Sequence, residues 1–160
     1  MCEVLKELYQ NVFEETFVFD IDHRVRLQKM VYILENLGVH VGDYSFSWNE
    51  RGPYSIALDD DAFRCSQSPA VENIKFSEWA KERIEIVKTI LSEQVGYAVT
   101  EWLECVASLH YLKYVLRCSN RDNDVIRELK NRKSQMKNAN ANNHAMEWAN
   151  KIETILWETT

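Results

Sequence analysis

The stretch VGDYSFSWNERGPYS, residues 41–55, decides how this chain is read, because nearly everything outside it carries a helical pattern. Within it Tyr44, Phe46 and Trp48 fall on every second residue, the period of an extended segment with one buried face. Gly52-Pro53 then ends the run. The proline ring disfavours helix at the residue before it, and Pro53 itself donates no backbone hydrogen bond. The whole chain has only four glycines and two prolines, so one of each side by side marks a shaped break. Ser55 follows as an N-cap, with Asp59 and Asp60 near enough to the new helix start to favour its dipole. A short helix over about residues 56–64 is expected.

Outward from this break the helical signals are regular. Val4, Leu5, Leu8, Val12 and Phe13 mark a first amphipathic segment. Asp20 or Asp22 caps the next, which carries Leu27, Met30, Val31, Leu34 and Leu37 and ends at Gly38, a left-handed C-terminal cap. Beyond a second break, SQSPAVEN (66–73), Ser77 caps a helix reaching residue 93, with Ala80, Ile84, Val87 and Leu91 in one stripe and Trp79, Ile86 and Ile90 beside it. Thr100 is the expected cap of a long helix whose Leu103, Val106, Leu109, Leu112 and Leu116 form the central core element. A shorter helix holds Val125, Ile126 and Leu129, and the Asn-rich run KNANANNH (137–144) is expected to be a loop, since Asn competes for backbone bonds. The last helix carries Met146, Trp148, Ala149, Ile152, Ile155 and Leu156. With no repeat and no linker, the expected architecture is mainly α: one helical domain over residues 1–160, a compact multi-helix bundle with a short extended, β-like excursion around 41–54.

At 160 residues the chain suits a single domain with its own core. A net charge of −6 argues against broad electrostatic binding to nucleic acid or an anionic membrane, though not against a local patch. No run approaches the roughly 18 apolar residues needed to span a bilayer. The N-terminal MCEVLKELYQNVF lacks a signal-peptide shape, so the expected location is cytoplasmic. Cys2, Cys65, Cys105 and Cys118 fit neither a disulfide framework nor paired zinc knuckles, and are expected to be buried free thiols.

Catalytic constellations are absent from the sequence: it contains no nucleophile elbow, phosphate-binding loop, HExxH or paired CxxC. Cys105 and His110 lie about 140° apart around one helix, poor geometry for a thiol and its base. The carboxylates Asp59, Asp60 and Asp61 sit at a helix start, where acids are expected without any cation. The chain is therefore expected to be no enzyme, with no metal and no cofactor. Charge is more informative. Residues 117–137 hold seven basic and three acidic side chains, a local net of +4 that leaves −10 elsewhere. Arg127, Lys130, Arg132, Lys133 and Lys137 make this a candidate nucleic-acid face or a site for an acidic protein, the protein being favoured because no aromatics for base stacking interleave. HRVRLQKM (23–30) forms a second basic cluster in which Gln28 lies at the core edge, a position suited to tying the backbone of SWNERGPYS by its amide.

RLQKMVYILENLG (26–38) followed by YSFSWNERGPYSIALDDD (44–61) resembles the YwgA-like proteins of bacteria and archaea. Arg26, Leu27, Gln28, Lys29, Val31, Tyr32 and Leu34 match that family's first signature, and Trp48, Gly52, Pro53, Tyr54, Ser55, Leu58 and Asp61 its second. WLECVASLHYLKYV (102–115) looks like its later helical signature, so the likeness spans about residues 24–157. Arg51 departs from the aromatic or His usual at its position. A more distant likeness is to Panacea-type, SocA-like antitoxin and adaptor domains. It implies a compact helical domain of mobile or phage-related loci that works by binding another protein, without cofactor or reaction. On this reading Arg26, Lys29, Trp48, Arg51 and Tyr54 form a partner-binding face, while Gln28, Gly52, Pro53 and Ser55 are its structural motif.

Overall fold

The computed structural model, which describes residues 2–69 and 74–158 with side chains through Ile155, comprises seven α-helices and one short hairpin packed chiefly on two of them. The helices are α1 (Cys2–Phe13), α2 (Ile21–Asn36), α3 (Ile56–Ser66), α4 (Glu78–Ser92), α5 (Val99–His110), α6 (Asp122–Arg132) and α7 (Ala139–Glu158). α5 is the axis of the bundle: every residue from Thr100 to Leu112 except Glu101 lies inside, with α2 and α7 as its principal neighbours. Its end widens into a π-helical turn, Tyr111–Val115, after which Arg117 takes a positive φ of 54°. No helix among the described residues is long and apolar enough to cross a membrane.

Several expected caps are present. Asp20 accepts from the His23 amide at 2.8 Å, Ser55 from Leu58 at 3.2 Å and Ser77 from Ala80 at 3.1 Å. Two expectations are corrected. Thr100 does not cap α5, which begins behind Ala98; its hydroxyl instead donates to Asp22 at 2.5 Å and accepts from Arg26 Nε at 3.0 Å, joining α5 to α2. The Asn-rich run is also not a loop. Asn138 caps α7 by accepting from the Ala141 amide at 2.9 Å, so the same preference for local backbone bonds that suggested a loop here starts a helix. Residues 70–73 of the expected second break, and the side chain of Leu156 expected on the last helix, lie outside the described residues.

The 41–54 excursion is extended only at its end, and Gly52-Pro53 does not terminate it. β1 (Ser47–Asn49) and β2 (Gly52–Tyr54) pair antiparallel in the register Ser47–Tyr54, Trp48–Pro53 and Asn49–Gly52. Glu50 and Arg51 form the turn without positive φ, and the left-handed residue is Gly52 at +89°, as in a turn closed by a glycine bulge. Pro53 opens no gap in the ladder, because a residue without an N–H is accommodated in a pair that exchanges no hydrogen bonds. A Cβ at Gly52 would collide with Ser108 Oγ of α5, so this position demands glycine for its φ and for close approach together.

The expectation of four buried free thiols also fails. Cys2, in the first turn of α1, and Cys65, in the last turn of α3, form a disulfide with Cα atoms 5.0 Å apart. Sequence spacing hid the pair, because the packing of α1 on α3 brings together residues 63 apart. Cys105 is free and buried, Cys118 free and exposed.

Two outcomes check this fold. Gly52→Ala should lower unfolding free energy by about 2–4 kcal/mol in urea titration, against the few tenths expected of an exposed substitution. Reduction should lower the melting temperature of the wild-type protein and leave a Cys2→Ser variant unmoved, since closing a loop of this length is worth about 4 kcal/mol.

Candidate functional site

The site is built where α2 meets the hairpin. Gln28 and Lys29 stand side by side on α2, both buried. The Gln28 amide donates from Nε2 to the Ser55 carbonyl at 2.8 Å and accepts from the Ser55 amide at 2.9 Å. Lys29 Nζ donates to the Pro53 carbonyl at 2.7 Å. Pro53 and Ser55 alternate along the outer edge of β2, so two side chains of α2 satisfy the backbone groups that a third strand would otherwise meet. Lys133, just past α6, donates to the Glu50 carbonyl at 2.7 Å and pairs with Glu104 of α5 at 2.7 Å. The hairpin is thus clamped at its tip and along one edge.

Lys29 is only 1 % and Lys133 2 % exposed, which corrects two expectations. Neither presents its charge to a partner: Lys29 leaves the expected protein face and Lys133 the expected nucleic-acid face, because both ammonium groups are consumed by hairpin carbonyls. Burial pushes the Lys29 amine down to about 7; the Glu104 carboxylate opposes this, and the charges of Lys133 and Arg51 add to it. A neutral amine still donates to Pro53, so the clamp survives loss of the proton.

The other expected contact residues separate. Arg26 turns away from the hairpin toward Thr100, Asp22 and Glu15. Trp48 is half-buried; it packs 6.1 Å from the Tyr111 ring and beneath the Arg132 guanidinium, 5.2 Å from the centroid. Arg51 and Tyr54 remain together. With Ile21, Arg24, Asn49 and Asp59 they line a cleft of about 270 Å³ between the N-terminal turns of α2 and the hairpin tip. Arg24 is held in that wall by a two-pronged bond to Asp59, 3.0 and 2.7 Å, which raises its pKa. Arg51 is exposed and carries no hydrogen bond or ion pair among the described residues.

On the basic segment Arg127, Lys130, Arg132 and Lys137 are exposed, with Arg127 paired to Asp124 at 3.2 Å and Arg132 to Glu128 at 2.7 Å. The fold supplies what the sequence lacked there: Trp48, 84 positions before Arg132, comes to rest against it. A buried chain runs separately from Tyr32 Oη to His110 Nδ1 at 2.7 Å and from His110 Nε2 to Glu153 at 2.8 Å. Burial lowers the His110 pKa against the pull of Glu153. This chain ties α2, α5 and α7 together.

Sequence reasoning missed Arg24, Asp59 and Ile21 as cleft residues and Glu104 and Ser108 as the floor under the hairpin. A signal for the last two exists: they are polar residues four apart within the apolar run 102–109, hence on one face. Comparison with protein-family models, curated proteins and solved structures finds no match to this chain.

The burial of Lys29 has a signed consequence. Its folded value near 7 lies below the usual 10.5, so from pH 7 upward the unfolded chain holds more protons and stability rises with pH. Below pH 7 both states are charged and the gain is absent. The stability of wild type relative to a Lys29→Met variant should therefore rise between pH 7 and pH 9, by up to about 1.4 kcal/mol per pH unit in paired urea titrations. Parallel profiles would contradict the burial.

Proposed function

We propose that this chain is a non-enzymatic protein-interaction module that presents the hairpin tip and its cleft to another polypeptide, in the manner of antitoxin and adaptor domains of mobile or phage-related loci. The observation that supports this most is the uncommitted guanidinium of Arg51, fixed on a clamped hairpin beside an exposed Ile21. Arg and large apolar side chains on a preorganised surface are what protein interfaces use as anchors. The more distant likeness of the 26–61 signature to SocA-like domains points the same way.

A second reading, nucleic-acid binding through Arg127, Lys130, Arg132 and Lys137, gains one specific support. Arg132 lies over the Trp48 ring, so the basic surface includes one aromatic of the kind that nucleic-acid-binding surfaces use.

Partner capture from the native host, followed by titration of the purified partner, separates the two. An Ile21→Asp, Arg51→Glu variant with unchanged melting should bind that partner at least tenfold more weakly, roughly the loss of one interface anchor, whereas Lys130→Glu, Lys137→Glu should bind it normally. Loss in the second variant alone, with salt-sensitive recovery of nucleic acid, would overturn the lead reading.

A further inference from the structure

Two patches elsewhere on the surface each hold two exposed apolar side chains and carry opposite charges. On α3, Ile56, Asp60 and Phe63 lie within about 60° of one another around the helix axis. Ile56 is 71 % and Phe63 51 % exposed, and between them the exposed Asp60 has no hydrogen bond or ion pair among the described residues. The second patch lies at the end of the π-helical turn that extends α5. Val115 is 48 % and Leu116 43 % exposed, and the positive φ of Arg117 turns the chain sharply just beyond them. Arg117 likewise has no hydrogen bond or ion pair among the described residues.

Each patch is an apolar pair with one unneutralised charge, acidic on α3 and basic at residues 115–117. α3 packs chiefly on α1 and α2, whereas the turn packs on α5 and α6, so the two patches are carried by different sets of packed elements. We infer that they meet between chains: the α3 patch of one copy docks the turn formed by Val115, Leu116 and Arg117 of a second. Burying the apolar side chains supplies attraction, and the pairing of Asp60 with Arg117 fixes which patch meets which. Such a contact is heterologous, each copy leaving one patch of either kind open, so association continues head to tail. A contact built on so few side chains is weak, in the micromolar-to-millimolar range, and screened by salt. It is distinct from the cleft at Arg51 and goes beyond the partner reading, so either can fail alone.

The test uses sedimentation velocity on the full chain and two surface variants, Asp60→Lys and Arg117→Asp; aspartate is chosen at the second site because it tolerates positive φ. Both sites are exposed, and equal melting temperatures verify that the variants fold. Wild type should grow in mean mass with concentration and shrink with added salt. Each variant alone should sediment as a monomer. An equimolar mixture restores opposite charges at both contacts between unlike chains, Asp60 with Arg117 and the introduced lysine with the introduced aspartate, so its mean mass should again grow with concentration. A monomeric wild type at millimolar concentration, variants that associate as wild type does, or a mixture that stays monomeric would each overturn the inference. None of those results bears on capture of a different protein at Arg51.

Discussion

The arrangement of this protein depends on two buried ammonium groups donating to the backbone of one hairpin. A two-stranded ribbon of three-residue strands has no stability of its own in water. Here its outer edge is met by Gln28 and Lys29, its tip by Lys133, and its floor by the side-chain-free surface of Gly52 over Ser108. Burying charge is costly unless its donors are used. Both lysines use theirs on carbonyls that otherwise would lack partners, and Glu104 stands close to both. The bundle fixes the hairpin, and the hairpin in turn supplies acceptors for polar groups that the bundle would otherwise bury alone.

The character of the surface derives from this clamp. Because the tip is held, Arg51 and Tyr54 line the cleft beside Ile21 from a clamped hairpin. Trp48, next to Asn49 on β1 and facing the other way by strand alternation, joins the basic end of α6 instead. One hairpin therefore divides its large side chains between two surfaces, a cleft with one free guanidinium and a basic surface with one aromatic.

Much of the fold is legible in the sequence because helices announce themselves through period and caps, as Asp20, Ser55, Ser77 and Gly38 do. The bracket from Gln28 to the Gly-Pro turn is legible too, since a glutamine at a core edge needs partners. Lys29 and Lys133 are not, because a lysine on a helix reads as solvated unless something polar is known to lie beneath it. That something, the hairpin carbonyls, comes from 24 and 83 residues away. The same holds for Cys2 with Cys65 and for Trp48 with Arg132: each pairing is created by tertiary packing between elements whose own local patterns are complete without it. Asn138 misleads for the opposite reason. Its preference for local backbone bonds is real, but the helical residues after it decide that it caps a helix and does not make a loop.

Native-state hydrogen exchange tests the central claim, the clamping of the hairpin, most directly. The Ser55 amide, bound to Gln28, should exchange only with global unfolding, at the same opening free energy as core amides of α2 such as that of Leu34. Exchange of Ser55 through a local opening several kcal/mol cheaper than that of Leu34 would mean that the hairpin lifts freely from the bundle, and would contradict the account.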